Sequence, residues 1–154
     1  MKRVLSNRWL SIVVRIALGV IFVYSAWPKL SDPPGFAHAI WNYRILPPSG
    51  INLTALTLPW LELFAGVALI SGLFRRGSAV IVAALLAVFI SALALNIARG
   101  NPVDCGCFSV AAVGKSQAEL LRGMKFDVFR DIGLLLMSLQ AMFTPATWGK
   151  VSRP

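Results

Sequence analysis

Apolar positions in this chain run in long, nearly unbroken stretches, unlike the alternation of a half-buried strand or the narrow stripe of a soluble helix. Trp9 to Trp27 is almost wholly apolar apart from Arg15 and has a tryptophan at each end, the arrangement of a helix anchored at two membrane interfaces. The following Tyr24-Ser25-Ala26-Trp27-Pro28 lacks the small-residue pattern of a signal-peptide cleavage site, so this first span is expected to stay. Ser31 to Asn52 reads as a loop, punctuated by Asp32-Pro33-Pro34-Gly35 and Pro47-Pro48-Ser49-Gly50. Between those clusters Phe36, Ala39, Ile40 and Tyr43 fall at helical spacing and predict a short interfacial helix.

Leu53 to Leu73 predicts a second span, which carries Pro59 and Glu62, and Ser78 to Ala98 a third. The tight turn Phe74-Arg75-Arg76-Gly77 between them makes the two antiparallel. Arg99 to Lys125 is a second long loop in which Ser116 and Glu119, ahead of Leu120-Leu121, form a capping-box pattern and predict the start of a short helix. The last clean apolar run is only Ile132 to Phe143, so a fourth span has to begin in the charged turn Asp127 to Asp131. The expected fold is all-α: a single membrane domain over residues 1–154, a four-helix bundle with spans near 9–30, 53–73, 78–98 and 126–147, and two long outer loops carrying short interfacial helices.

Composition agrees. The 154 residues are 57% hydrophobic and 14% charged, too apolar for the usual soluble mixture. The net charge of +9 would suggest nucleic acid in a soluble protein, but the basic residues punctuate apolar runs and form no stripe, so a lipid bilayer is the expected partner and nucleic acid is not. Lys2, Arg3 and Arg8, then Arg75 and Arg76, then Lys150 and Arg153 crowd at one set of helix ends. The basic residues of the two long loops are as numerous but are spread out and mixed with Asp32, Asp104, Glu119 and Asp127. Density therefore puts both termini in the cytoplasm of a multi-pass bacterial inner-membrane protein and both long loops on the periplasmic side.

Ionisable groups inside spans are costly and are functional candidates by default. Arg15 and Lys29, fourteen residues apart, share one face of the first span with Gly19, Phe22 and Ala26, whose small members admit a neighbouring helix. Glu62 sits midway along the second span, on the face of Ala55, Pro59 and Gly66, and needs a partner or a proton. Lys29, Asn96, Arg130 and Asp131 lie toward the loop-bearing ends of their spans. One reading is a site converging on the second loop; the other is a structural network in which Lys29 or Arg15 neutralises Glu62 and Asp127 pairs with Arg130.

Cys105 and Cys107, the two cysteines of the chain, flank Gly106 in that loop. A bridge between residues i and i+2 is strained, and strain makes a disulfide easier to reduce. As a staple it is poor, since so small a loop gives roughly 1.6 kcal/mol of chain-entropy stabilisation against about 3 for a fifteen-residue loop. Redox chemistry is the leading expectation, ahead of metal binding and inert thiols. A zinc site from Cys105, Cys107, Asp104 and His38 would require two loops to meet in tetrahedral geometry, and no metal is expected. Asp104 opposes thiolate formation at Cys105 whereas Arg99 or Lys115 would favour it, so the order of the two thiols stays open.

Lys29-Leu30 with Asp32-Pro33, Tyr43 ahead of Leu46-Pro47, Pro59 with Glu62 and Gly66, the stretch Asp104-Cys105-Gly106-Cys107-Phe108, and Arg130 together resemble the MauE-like branch of the DoxX-like membrane proteins. The resemblance covers about Arg15 to Leu136; Ser109 stands where that pattern commonly has Gly, and Asp131 where it has Asn. It implies a four-helix membrane protein that works with a periplasmic thioredoxin-like protein in disulfide formation or thiol delivery, as in maturation of methylamine dehydrogenase. Cys105 and Cys107 would be catalytic, with Lys29, Glu62, Asn96, Arg130 and Asp131 tuning the site and Tyr43, Asp104 and Gly106 contributing from the loops. The rival expectations are a non-catalytic anchor or assembly subunit for a soluble oxidoreductase, and a membrane reductase coupled to a quinone, the one cofactor the aromatic content admits.

Overall fold

A computed structural model describes residues 8–103 and 116–143, which are helical almost throughout. The helices are α1 (Arg8–Ser31), α2 (Pro33–Tyr43), α3 (Pro48–Ser71), α4 (Arg75–Ala98) and α5 (Gln117–Phe143). Three of them are long and apolar enough to cross a membrane, over Trp9–Ser31, Pro48–Ser71 and Arg76–Ala98. A helix of 24 residues, the length of each of α1, α3 and α4, extends roughly 36 Å, more than a hydrocarbon core of about 30 Å. Bulky apolar side chains cover the outside as well as the inside: Trp9, Trp27, Leu53, Phe64, Val88 and Leu136 are all more than half exposed. Such a surface suits lipid.

The prolines explain where the helices start. The sequence predicts a loop from Ser31 to Asn52 with one short helix inside it, but both proline clusters begin helices. Asp32 caps α2 by accepting a 3.0 Å hydrogen bond from the Gly35 amide, and Pro33 takes the first helical position, where a missing N–H costs nothing. Pro48 opens α3 in the same way, after an extended Pro47. α2 ends at Arg44 and α3 at Gly72, both in the left-handed conformation. The α3–α4 connection is only residues 72–74, bent by left-handed backbone at Gly72 and Phe74.

The capping box at Ser116 and Glu119 forms reciprocally, the Ser116 amide donating to the Glu119 carboxylate at 2.8 Å and the Glu119 amide to the Ser116 hydroxyl at 3.3 Å. It starts one continuous helix, not a short one: α5 runs 27 residues, because no proline interrupts it and the helix continues through Gly123. The expected continuation to residue 147 lies outside the described residues.

α1 packs along α3, and α5 along α4. The core is shared by Leu18 and Phe22 of α1, Ala65 and Leu69 of α3, Val82 and Leu86 of α4 and Leu134 of α5. Arg15 lies beside Gly72, Gly19 beside Gly66, and Lys29 beside Glu62, so α1 and α3 are antiparallel. Both long connections therefore leave from one end of the molecule. Glycine sets the closest approach: a Cβ at Gly19 would fall 2.7 Å from the Gly66 carbonyl oxygen and 2.6 Å from Ile70, and one at Gly66 would fall 2.8 Å from the Gly19 oxygen. Backbone meets backbone, as small residues permit between membrane helices. Gly19→Val should therefore lower stability in detergent by about 1–3 kcal/mol; a thermal midpoint equal to wild type would contradict this contact.

Candidate functional site

The loop-bearing end holds a buried ion pair. Pro28 and Lys29 sit in the last turn of α1, where a cation also suits the helix dipole. Glu62 follows the buried Pro59 by one turn on α3, and the Gly19–Gly66 contact brings the two helix faces together. The Lys29 ammonium donates to both Glu62 carboxylate oxygens at 2.7 Å and to the Ser25 hydroxyl at 3.3 Å. Both side chains are 1% exposed. The ammonium also lies 5.3 Å from the Phe36 ring centre and 5.1 Å from that of Phe89, so α2 and α4 each supply an aromatic face to the cation. One charge thereby ties four helices together.

A second charged group lies on α5. Arg130 donates to Asp127 at 2.7 Å and, through Nε and Nη2, to a single oxygen of Asp131 at 3.0 and 2.9 Å. Asp131 is buried, and its other oxygen, Oδ2, has no hydrogen-bond partner among the described residues. Between the two groups is a cavity of about 20 Å³ lined by Ser25, Glu62, Arg130 and Asp131 together with Phe22 and Phe89. That is room for about one water molecule.

The second loop leaves α4 through a Schellman motif: the Gly100 amide bonds the Ile97 carbonyl at 3.1 Å, the Asn101 amide bonds that of Asn96 at 3.0 Å, and Gly100 is left-handed. The Asn101 side chain then donates to the Asn42 carbonyl and to the Asn96 side chain, each at 3.0 Å, while Arg99 reaches the Arg44 carbonyl at 3.4 Å. Val103 is buried against Leu93 and Met124 with Tyr43 packed alongside, and its amide points at the Met124 sulfur, 3.2 Å away. Residues 99–103 are thus fastened to α2, α4 and α5.

The structure brings Glu62, Arg130 and Asp131 to one cavity, with Lys29 paired to Glu62 behind its wall, and places Asn96 and Tyr43 at the fastened start of the loop. Of the two partners expected for Glu62, Lys29 is the one in contact; Arg15 lies a long way down α1, beside Gly72 at the end of α3. The Asp127–Arg130 pair forms at the expected spacing. Asp104, Cys105, Gly106 and Cys107 lie outside the described residues. His38 is exposed on α2, 3.4 Å from the Asn42 amide nitrogen. Sequence reasoning overlooks Ser25, Phe89, Asn101 and Met124. Only Asn101 carries a signal, in the Gly-Asn pair that follows a helix end.

These features define an all-helical membrane protein with a buried charge network at its loop-bearing end. The family model described as methylamine utilisation protein MauE matches residues 7–144, and the chain belongs to that family. It is 30% identical over 146 residues to the methylamine utilization protein MauE of Methylophilus methylotrophus, covering 94% of this chain and 74% of that protein. To the MauE of Paracoccus denitrificans it is 41% identical over 96 residues, 62% of this chain and about half (52%) of the relative. A more distant similarity, 30% over 118 residues, is to protein TlpB of Flavobacterium psychrophilum, covering 70% of this chain and 31% of that one. No solved structure matches the chain.

Removing one member of a buried ion pair strands the other in a medium that cannot solvate it, whereas replacing both with apolar groups removes the penalty. Lys29→Met and Glu62→Met should each cost about 3–5 kcal/mol in detergent, and the double variant less than the sum. Additive losses in that cycle would show that the two charges are not coupled.

Proposed function

We propose that the protein is an inner-membrane thiol–disulfide exchange protein acting through Cys105 and Cys107, with a periplasmic thioredoxin-like protein as its redox partner and periplasmic proteins of methylamine utilisation as the clients. α5 crosses the bilayer as a fourth span, with Arg130 and Asp131 lining the cavity it shares with α1 and α3, and both long loops face the periplasm, where disulfides persist. In the exchange, one thiolate attacks the partner's disulfide, forming a mixed disulfide and releasing a partner thiolate. The second cysteine then displaces the partner, so a dithiol is oxidised here as the partner's disulfide is reduced, and the reverse transfer follows the same bonds.

The observation that carries this reading is the fastening of residues 99–103. Cys105 follows the buried Val103 by two residues, so covalent geometry alone keeps it within about 7 Å of a fixed point on the bundle. A loop needed only as a connection has no use for a Schellman turn, an Asn101 side chain bonded to both Asn42 of α2 and Asn96 of α4, and a buried anchor immediately before its cysteines. The ion pair supports the same end by holding α1 and α3 in register, and the Arg130 group tunes it from α5.

Cys105→Ser and Cys107→Ser are each expected to reduce client disulfide formation to background at unchanged membrane abundance, because a bridge this short adds little stability. One of the two should accumulate a mixed disulfide on non-reducing gels, since loss of the resolving thiol strands that intermediate. Normal client maturation in the double variant would leave a non-catalytic membrane anchor as the better account.

A further inference from the structure

Among the described residues, the charged side chains grouped at and behind the cavity do not balance. α1 contributes Lys29, α3 contributes Glu62, α5 contributes Asp127, Arg130 and Asp131, and α4 contributes only apolar Leu86 and Phe89 to the wall. With every group ionised the sum is one negative charge in excess. Lys29 is committed to Glu62 through both of its carboxylate oxygens. The Arg130 guanidinium is divided between Asp127 and one oxygen of Asp131. The other Asp131 oxygen has no partner among the described residues, although the residue is 3% exposed and lines the cavity. A buried carboxylate with one oxygen unsatisfied is costly, and an uncompensated charge there more so.

We propose that this cavity is a proton-binding site: one proton resides on Asp131 Oδ2, hydrogen-bonded through a single water to the Glu62 carboxylate. Protonation turns Asp131 Oδ2 from an unsatisfied acceptor into a donor, and brings the network to neutrality, two cations against two carboxylates. Glu62 retains the capacity to accept, since each carboxylate oxygen offers two lone pairs and Lys29 uses one on each. The cavity's volume of about 20 Å³ fits one water, with polar atoms of Ser25, Glu62 and Asp131 around it. A metal cation is the poorer occupant, because Arg130 shares the wall and Lys29 stands behind Glu62.

Infrared spectroscopy of the intact chain in lipid nanodiscs reads this directly. At pH 7 the wild-type protein should show the carbonyl band of about one protonated carboxylic acid per chain, which moves on transfer to deuterium oxide. Asp131→Asn should remove the band while preserving the thermal midpoint, since the amide supplies an N–H donor in place of the acid. Glu119→Gln, which changes an exposed carboxylate at the α5 cap, should leave it. Absence of the band in wild type, or its survival in Asp131→Asn, would overturn the proposal. Absence of the wild-type band overturns the proposal even if a variant does not fold.

Discussion

A lysine and a glutamate with almost no exposure, facing each other across two apolar helices, constrain everything around them. Neither charge can be left alone in such surroundings, so α1 and α3 must hold one register, and that register must present the ammonium to the carboxylate with both oxygens in reach. The Gly19–Gly66 contact makes the register sterically available; the ion pair makes the alternatives expensive. Phe36 and Phe89 extend the same constraint to α2 and α4, because each offers a ring face to the ammonium. Apolar side chains surround the bundle on all sides and would fit many rotations of a helix, so specificity falls to the few polar groups.

The second consequence lies at the start of the cysteine loop. α4 ends with its carbonyls satisfied by Gly100 and Asn101, and Asn101 then ties the chain to α2. Met124 of α5 and Leu93 of α4 close over Val103. α2 and α4, which turn ring faces to the Lys29 ammonium, are also two of the three helices that hold residues 99–103, so packing links the buried ion pair to the start of the second loop. A substitution at Lys29 and one at Asn101 would accordingly affect the same end of the molecule by different routes.

Much of this is legible in the sequence. Uninterrupted apolar runs mark α1, α3 and α4 because a bilayer demands length and tolerates few charges, and the capping box at Ser116 marks the start of α5 because it satisfies backbone donors locally. Proline is the ambiguous signal: Pro33 and Pro48 read as breakers, yet each stands at a first helical position. Glu62 announces a need for a partner without naming it. Choosing Lys29 over Arg15 depends on the antiparallel packing of α1 on α3 set by the Gly19–Gly66 contact, which joins distant positions. Phe89 is indistinguishable from its apolar neighbours until α4 is docked. The family is legible in the residues that carry the resemblance, and the match over residues 7–144 agrees.

The central functional claim is that the cysteine pair works on the outer side of the membrane at the end of the bundle that the ion pair organises. A membrane-impermeant maleimide applied to intact spheroplasts after mild reduction addresses it most directly. The account predicts labelling of Cys105 or Cys107 from outside, lost in the double serine variant. Labelling only after the membrane has been opened would contradict it.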